Sequence, residues 1–157
     1  NKEISKYISR LITYETNEQG SSIVSSYFTI TGNIERIGDH AINICEYSTM
    51  MDQKGIQFSE GAKDELREMR DVCLAALDTL AADADVSEGW LSSMEKLEQR
   101  IDDMTAEFRQ SQLDRMKQGS CSDEACILFS ELLTDFERIG DHALNIAQER
   151  MAAAPAR

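Results

Sequence analysis

Residues 35–44 read ERIGDHAINI and residues 137–146 read ERIGDHALNI, so nine of ten positions agree across an offset of 137 − 35 = 102. Each copy sets a Glu and an Asp four residues apart, Glu35 with Asp39 and Glu137 with Asp141. On a helix that spacing is close to one turn. At about 100° per residue, Asp39 lies ~40° from Glu35, while Ile30, Ile34, Ile37, Ala41, Ile42, Ile44 and Cys45 occupy roughly 180–340°. The two carboxylates therefore form a vertical pair on the border of an apolar stripe. Arg36 and His40 fall at about 100° and about 140° and are expected to point further out. The same geometry holds for Arg138 and His142.

Two carboxylates one turn apart repel by a few tenths of a kcal/mol on an exposed helix. On a half-buried seam the cost rises unless a cation or base neutralises them. A hard or borderline metal ion is one such neutraliser, because Asp and Glu oxygens are the ligands it takes. An Arg or Lys from a neighbouring helix is the other. A metal also needs oxygens from a facing helix. Glu98 and Asp102 repeat the Glu-x-x-x-Asp spacing directly after the apolar residues Leu97 and Ile101, so they too sit on a core border. Two such pairs from adjacent helices would make a carboxylate cage, with Asp103 as an alternative to Asp102. Subtracting 102 from Glu98 and Asp102 gives positions before Asn1, so the first copy's site is expected to be half-built.

His40 and His142 are expected to hydrogen-bond rather than ligate, given their outward angle. Asn43 and Asn145 lie near the same border and could support the carboxylates. Arg36 and Arg138 read as structural clamps. Gly38 and Gly140 sit inside helices at a cost of about 1 kcal/mol each against alanine, which close helix approach or room for a cluster would explain. A ferritin-like di-metal oxidase needs Glu-x-x-His with the histidine turned inward, and here the histidine directly follows the aspartate. No Gly-rich phosphate loop, Ser/His/Asp set or basic patch points to nucleotide chemistry, hydrolysis or nucleic-acid binding.

The elements that must carry these residues are five helices, so the fold class is all-α. Apolar residues recur at three- and four-residue steps over about 1–16, 22–52, 60–84, 88–118 and 123–152, with Gly and Ser clustered at 17–21, 53–61, 87–89 and 118–123. Such seams pack helices nearly antiparallel in bundles. Ser87 with Glu88, and Asp123 with Glu124, read as caps and first-turn acids. The tail from Met151 is expected to fray. The single proline, Pro155, leaves more than 150 residues free of that helix breaker.

Sliding by 102 lays residues 1–16 on 103–118. The unit is then three helices, complete at 60–152 and present only in its last part at 1–52. The missing helix would leave an apolar stripe on the first two helices for a partner, and a homodimer is the expectation. The net charge of −13 disfavours nucleic acid. No run of 18 apolar residues spans a membrane. Four cysteines, none in a C-x-x-C pair, suit a reducing compartment, with Cys45 and Cys73 on apolar faces.

A duplicated ERIGDHAxNI closing a three-helix unit resembles the PhoU family. The resemblance implies tandem, spectrin-like three-helix bundles. It also implies transition-metal ions, as multinuclear iron or with zinc or nickel, on Glu35, Asp39, Glu137 and Asp141, and less securely on Glu98 and Asp102. It implies a regulatory, non-enzymatic role in phosphate uptake. The version with both motifs intact resembles the tail of bacterial sodium/phosphate cotransporters. That places a soluble domain at the cytoplasmic face of the inner membrane, with the transporter's membrane domain or a phosphate-signalling protein as partner. A free-standing regulator and a metal-free helical interaction module are the alternatives.

Overall fold

The computed structural model describes residues 2–14, 18–82 and 85–154. These form five helices and, among the described residues, no strand: α1 Lys2–Tyr14, α2 Glu18–Lys54, α3 Glu60–Ala81, α4 Glu88–Lys117 and α5 Asp123–Ala153. The ends have local causes. Ser59, Ser87 and Ser122 each stand one residue before a helix and accept the backbone N–H three residues on, at 3.3, 3.3 and 3.2 Å, which satisfies a donor the helix leaves open. Gly55 and Gly119 both have φ of +65° just past α2 and α4, the left-handed stop that glycine adopts at least cost.

Expected boundaries move at both ends of α2 and at the C-terminal ends of α3, α4 and α5. Gly20 and Ser21, expected in a turn, belong to α2, because a glycine weakens a helix without forbidding its geometry. Asn17, also assigned to that turn, lies outside the described residues. Met151–Ala153, expected to fray, continue α5. The helix stops at Ala154, whose ψ of 139° is the extended value that a following proline imposes. Residues 1, 15–16, 83–84 and 155–157 of the expected helices and tail lie outside the described set.

α3, α4 and α5 form a three-helix bundle. Its centre holds Met69, Ile101, Met104, Phe129 and Leu133, all fully buried. A second cluster, Ala76, Trp90, Met94, Ala143 and Ala147, closes one end. α2 runs antiparallel along the outside of α5, and α1 packs on α2. Ile37 and Ile44 tie α2 to the bundle core.

The apolar stripe read on α2 is only partly a core face. Ile34 and Ile42 are 58% and 57% exposed, and Ala41 and Cys45 are exposed as well. The residues 102 positions on differ: Phe136, Ala143 and Ala147 are buried and Leu144 is half-buried. The cause is the number of neighbours. α5 is enclosed by α2, α3 and α4, whereas α2, among the described residues, packs along its length on α1 and α5. Cys73 is buried as expected, and burial pushes its thiol up to about 12. Cys121 and Cys126, which no motif pairs, form a disulfide.

Candidate metal centre

α4 and α5 cross closely because of one glycine. A Cβ on Gly140 would lie 2.9 Å from Ile101 Cδ1 and 3.4 Å from its Cγ2. Ile101 precedes Asp102 and Gly140 precedes Asp141, so this close approach brings the acids of the two helices together. One carboxylate oxygen each from Glu98, Asp102 and Asp141 lie within 4.8 Å of one another. These are three of the six acids that the sequence put forward.

The electrostatics are those of a site short of positive charge. Partial burial first, then Asp102, Asp141 and Glu95, push Glu98 above the usual carboxylate range. Partial burial, then Glu137, Asp141 and Asp103, do the same to Asp102. Glu137 stands close enough to act on Asp102, but its Oε2 accepts from Arg109 Nη2 at 3.0 Å. Arg109 also donates to Thr134 Oγ1 at 3.1 Å. Asp141 Oδ2 accepts from Arg138 Nη1 at 3.0 Å. Arginine thus covers one side of the group, while the oxygens of Glu98, Asp102 and Asp141 converge on the other. Asp103, the alternative to Asp102, is exposed, accepts from Gln99 at 3.0 Å and lies outside the three-acid group.

The donor set fits a metal. Every converging atom is a carboxylate oxygen, which suits a hard or borderline cation. Thr105, three residues beyond Asp102, buries a hydroxyl that has no hydrogen-bond partner among the described residues, so this side of α4 carries polar groups that the fold alone does not satisfy.

The first copy is built differently. Glu35 and Asp39 are exposed on α2, and neither joins a three-acid group among the described residues. A Cβ on Gly38 would meet nothing within 4 Å. Equivalent glycines should therefore respond differently. Gly38→Ala should stabilise the protein by about 0.5–1 kcal/mol through helix propensity. Gly140→Ala should lose that gain to overpacking of about 1–3 kcal/mol against Ile101. Urea unfolding of the two variants checks this, and equal stabilisation by both would contradict the tight α4–α5 approach.

The histidines do not point outward. Both rings lie in the α2–α5 seam, stacked with centroids 5.6 Å apart and planes 25° apart. His40 Nδ1 donates to Asp135 Oδ1 at 2.6 Å, and Asn43 Nδ2 donates to the same oxygen at 3.1 Å. His142 Nδ1 donates to Asn33 Oδ1 at 2.8 Å. Since 33 + 102 = 135, the two histidine bonds are one interaction made twice about a local two-fold axis. Burial, then His40, Arg36 and Arg138, lower His142 against the opposing pull of Asp141, which suits a neutral ring donating to an amide oxygen. The outward angle failed because it counted only one packing face per helix, and the antiparallel partner covers the polar flank. Arg36 and Asn145 remain exposed.

Arg109, Asn33 and Asp135 were missed in the sequence, although signals for them existed. Arg109 continues the Glu98–Asp102–Thr105 stripe at helical steps. Asn33 and Asp135 hold the same register in the two copies, two residues before each motif.

Fold and site together define a repeat-built helical bundle with an interhelical carboxylate cluster. Compared with known proteins, the chain matches the PhoU domain over residues 1–48 and 66–149, most of its length. It belongs to the PhoU domain family. It is similar to the phosphate-specific transport system accessory protein PhoU homolog 1 of Thermotoga maritima, with 28% identity over 123 residues, 76% of this chain and 51% of the relative. The chain thus spans about half the length of the curated relative that it matches. No solved structure matches it significantly.

Proposed function

We propose that the chain is a non-enzymatic, metal-binding regulatory domain in phosphate transport. The observation that carries metal binding is the convergence of Glu98, Asp102 and Asp141 oxygens from two helices within 4.8 Å. Family membership supports the phosphate-transport context. In this reading Glu98, Asp102 and Asp141 hold a transition-metal ion, with Glu137 beside them on Arg109. The bound ion supplies positive charge that neutralises the cluster and ties α4 to α5. Arg138 orients Asp141, and the Gly140–Ile101 contact fixes the separation of the helices.

Calorimetric titration of the metal-free protein with Mn²⁺ or Fe²⁺ tests the site. Binding near one site per chain is expected, weakened by more than about 100-fold in Asp102→Asn/Asp141→Asn, beyond what loss of an outer partner costs. Equal affinity in the double variant would refute the assignment.

The wider context is either the tail of a sodium/phosphate symporter or a free-standing regulator. No described helix is long and apolar enough to cross a membrane. The full-length gene product settles the choice: integral sedimentation with membranes supports the tail, and a freely soluble product supports the regulator.

A further inference from the structure

The α4–α5 connection carries a second chemistry, unrelated to the carboxylates. Cys121 lies in that connection and Cys126 in the first turns of α5, five residues apart, with Cα atoms 6.5 Å apart and their sulfurs bonded. Cys121 is half-buried and Cys126 is buried, so a solvent reagent reaches Cys121 first.

A chain of polar contacts ends on that sulfur. Gln112 Nε2 donates to Cys121 Sγ at 3.5 Å. Gln112 is itself only 7% exposed, and its Oε1 accepts from Arg115 Nε at 2.8 Å. The Arg115 guanidinium forks onto both Glu65 oxygens at 3.0 and 2.6 Å and stands 5.1 Å over the Phe129 ring. α3 thus fixes Arg115, Arg115 fixes Gln112, and Gln112 aims an N–H at sulfur. A disulfide sulfur accepts such a bond weakly, whereas a thiolate accepts it strongly, because bonds to a charged partner are about twice as strong. Cys126 sits at the start of α5, where open backbone N–H groups favour negative charge. Asp123 and Glu124 in the same turn oppose this effect. A cavity of about 180 Å³ borders Cys126, between Gln112 and Phe129, and leaves room for a released side chain.

We propose that Cys121 and Cys126 are a reversible dithiol–disulfide couple that exchanges with a low-molecular-weight thiol and so pins or frees the α4–α5 connection. A small thiolate attacks Cys121 Sγ. The S–S bond breaks and its electron pair leaves on Cys126. A second small thiolate attacks the mixed disulfide, releases the small-molecule disulfide, and leaves Cys121 facing the Gln112 donor. Two small thiols are oxidised, the protein disulfide is reduced, and the two thiol protons end on Cys121 and Cys126. Such exchange is set by thiolate stabilisation and access; Gln112 supplies a donor to Cys121, which is the more accessible of the two sulfurs.

The test is equilibration of the full chain in graded ratios of reduced to oxidised glutathione, acid quench, maleimide labelling and peptide mapping by mass spectrometry. Cys121 and Cys126 should pass together from unlabelled to doubly labelled within the titration. Amide hydrogens of residues 118–126 should exchange faster in the reduced form. Gln112→Ala should shift the midpoint a few-fold toward the disulfide, the effect of losing one neutral donor to the Cys121 thiol. A pair that stays bonded in excess reduced glutathione would be a permanent staple, and one that stays labelled in excess oxidised glutathione would never bond. Either result overturns the proposal, and the wild-type titration decides it even if Gln112→Ala does not fold.

Discussion

Glu98→Gln should raise the stability of the metal-free protein and abolish the stabilisation that metal provides. Glu98 sits above the usual carboxylate range because of burial and the Asp102 and Asp141 charges. A carboxyl raised on folding binds protons more tightly folded than unfolded. Stability then falls as pH rises through the window between the ordinary carboxylate value and the raised one, and it is regained below that window. At neutral pH the metal-free protein therefore carries the repulsion in full. Removing one charge should relieve a few tenths of a kcal/mol, and Tm should rise by about 1–2 °C. Lowering pH from 7 to about 5 should favour the metal-free wild type relative to the variant, because only the wild type has Glu98 to protonate, while Asp102 and His142 contribute equally to both.

Metal reverses the ranking. A ligand at about 100 times its dissociation constant adds about 2.7 kcal/mol to the form that binds it. The wild type should gain that and the variant should not. Thermal melts of both proteins from pH 5 to 8, with and without Mn²⁺, give all four values. A metal-free Glu98→Gln that melts well below wild type at pH 7 would mean that Glu98 holds the fold rather than a cation.

The second large effect lies in the seam between the repeats. Asp135 is 5% exposed and takes two hydrogen bonds on Oδ1, and the nearby Tyr47 hydroxyl also feels its charge and hydrogen-bonds to it. Asp135→Ala strands the His40 and Asn43 donors, and removing one member of a largely buried charged set costs about 3 kcal/mol. Urea unfolding should register that loss, with Tm lower by about 6–12 °C. Asp135→Asn should cost under about 1 kcal/mol, because Asn33 already does the same work for His142. Equal losses in the two variants would place the effect in packing and not in the hydrogen bonds.

The positions of α3, α4 and α5 were legible from spacing alone, because a bundle helix is enclosed and its apolar period shows it. Glu98, Asp102 and Asp141 were legible for a related reason: an acid next to a seam residue such as Ile101 has few places to point. α2 read less well. Its stripe has the period of a core helix, but Ile34 and Ile42 face outward, and periodicity does not report how many neighbours a helix has. His40 and His142 were misplaced because the α2–α5 contact uses a polar flank. That contact left its trace in the matching registers of Asn33 and Asp135. The bond between Cys121 and Cys126 follows from the path of one short connection, to which composition is blind.

Elemental analysis of the purified protein, with Asp102→Asn/Asp141→Asn prepared in parallel, decides whether the α4–α5 carboxylates hold a metal ion. A transition metal near one equivalent per chain, absent from the variant, is the predicted result. No metal in the wild type even after anaerobic reconstitution would contradict metal binding and leave the cluster as a set of acids held by Arg109 and Arg138.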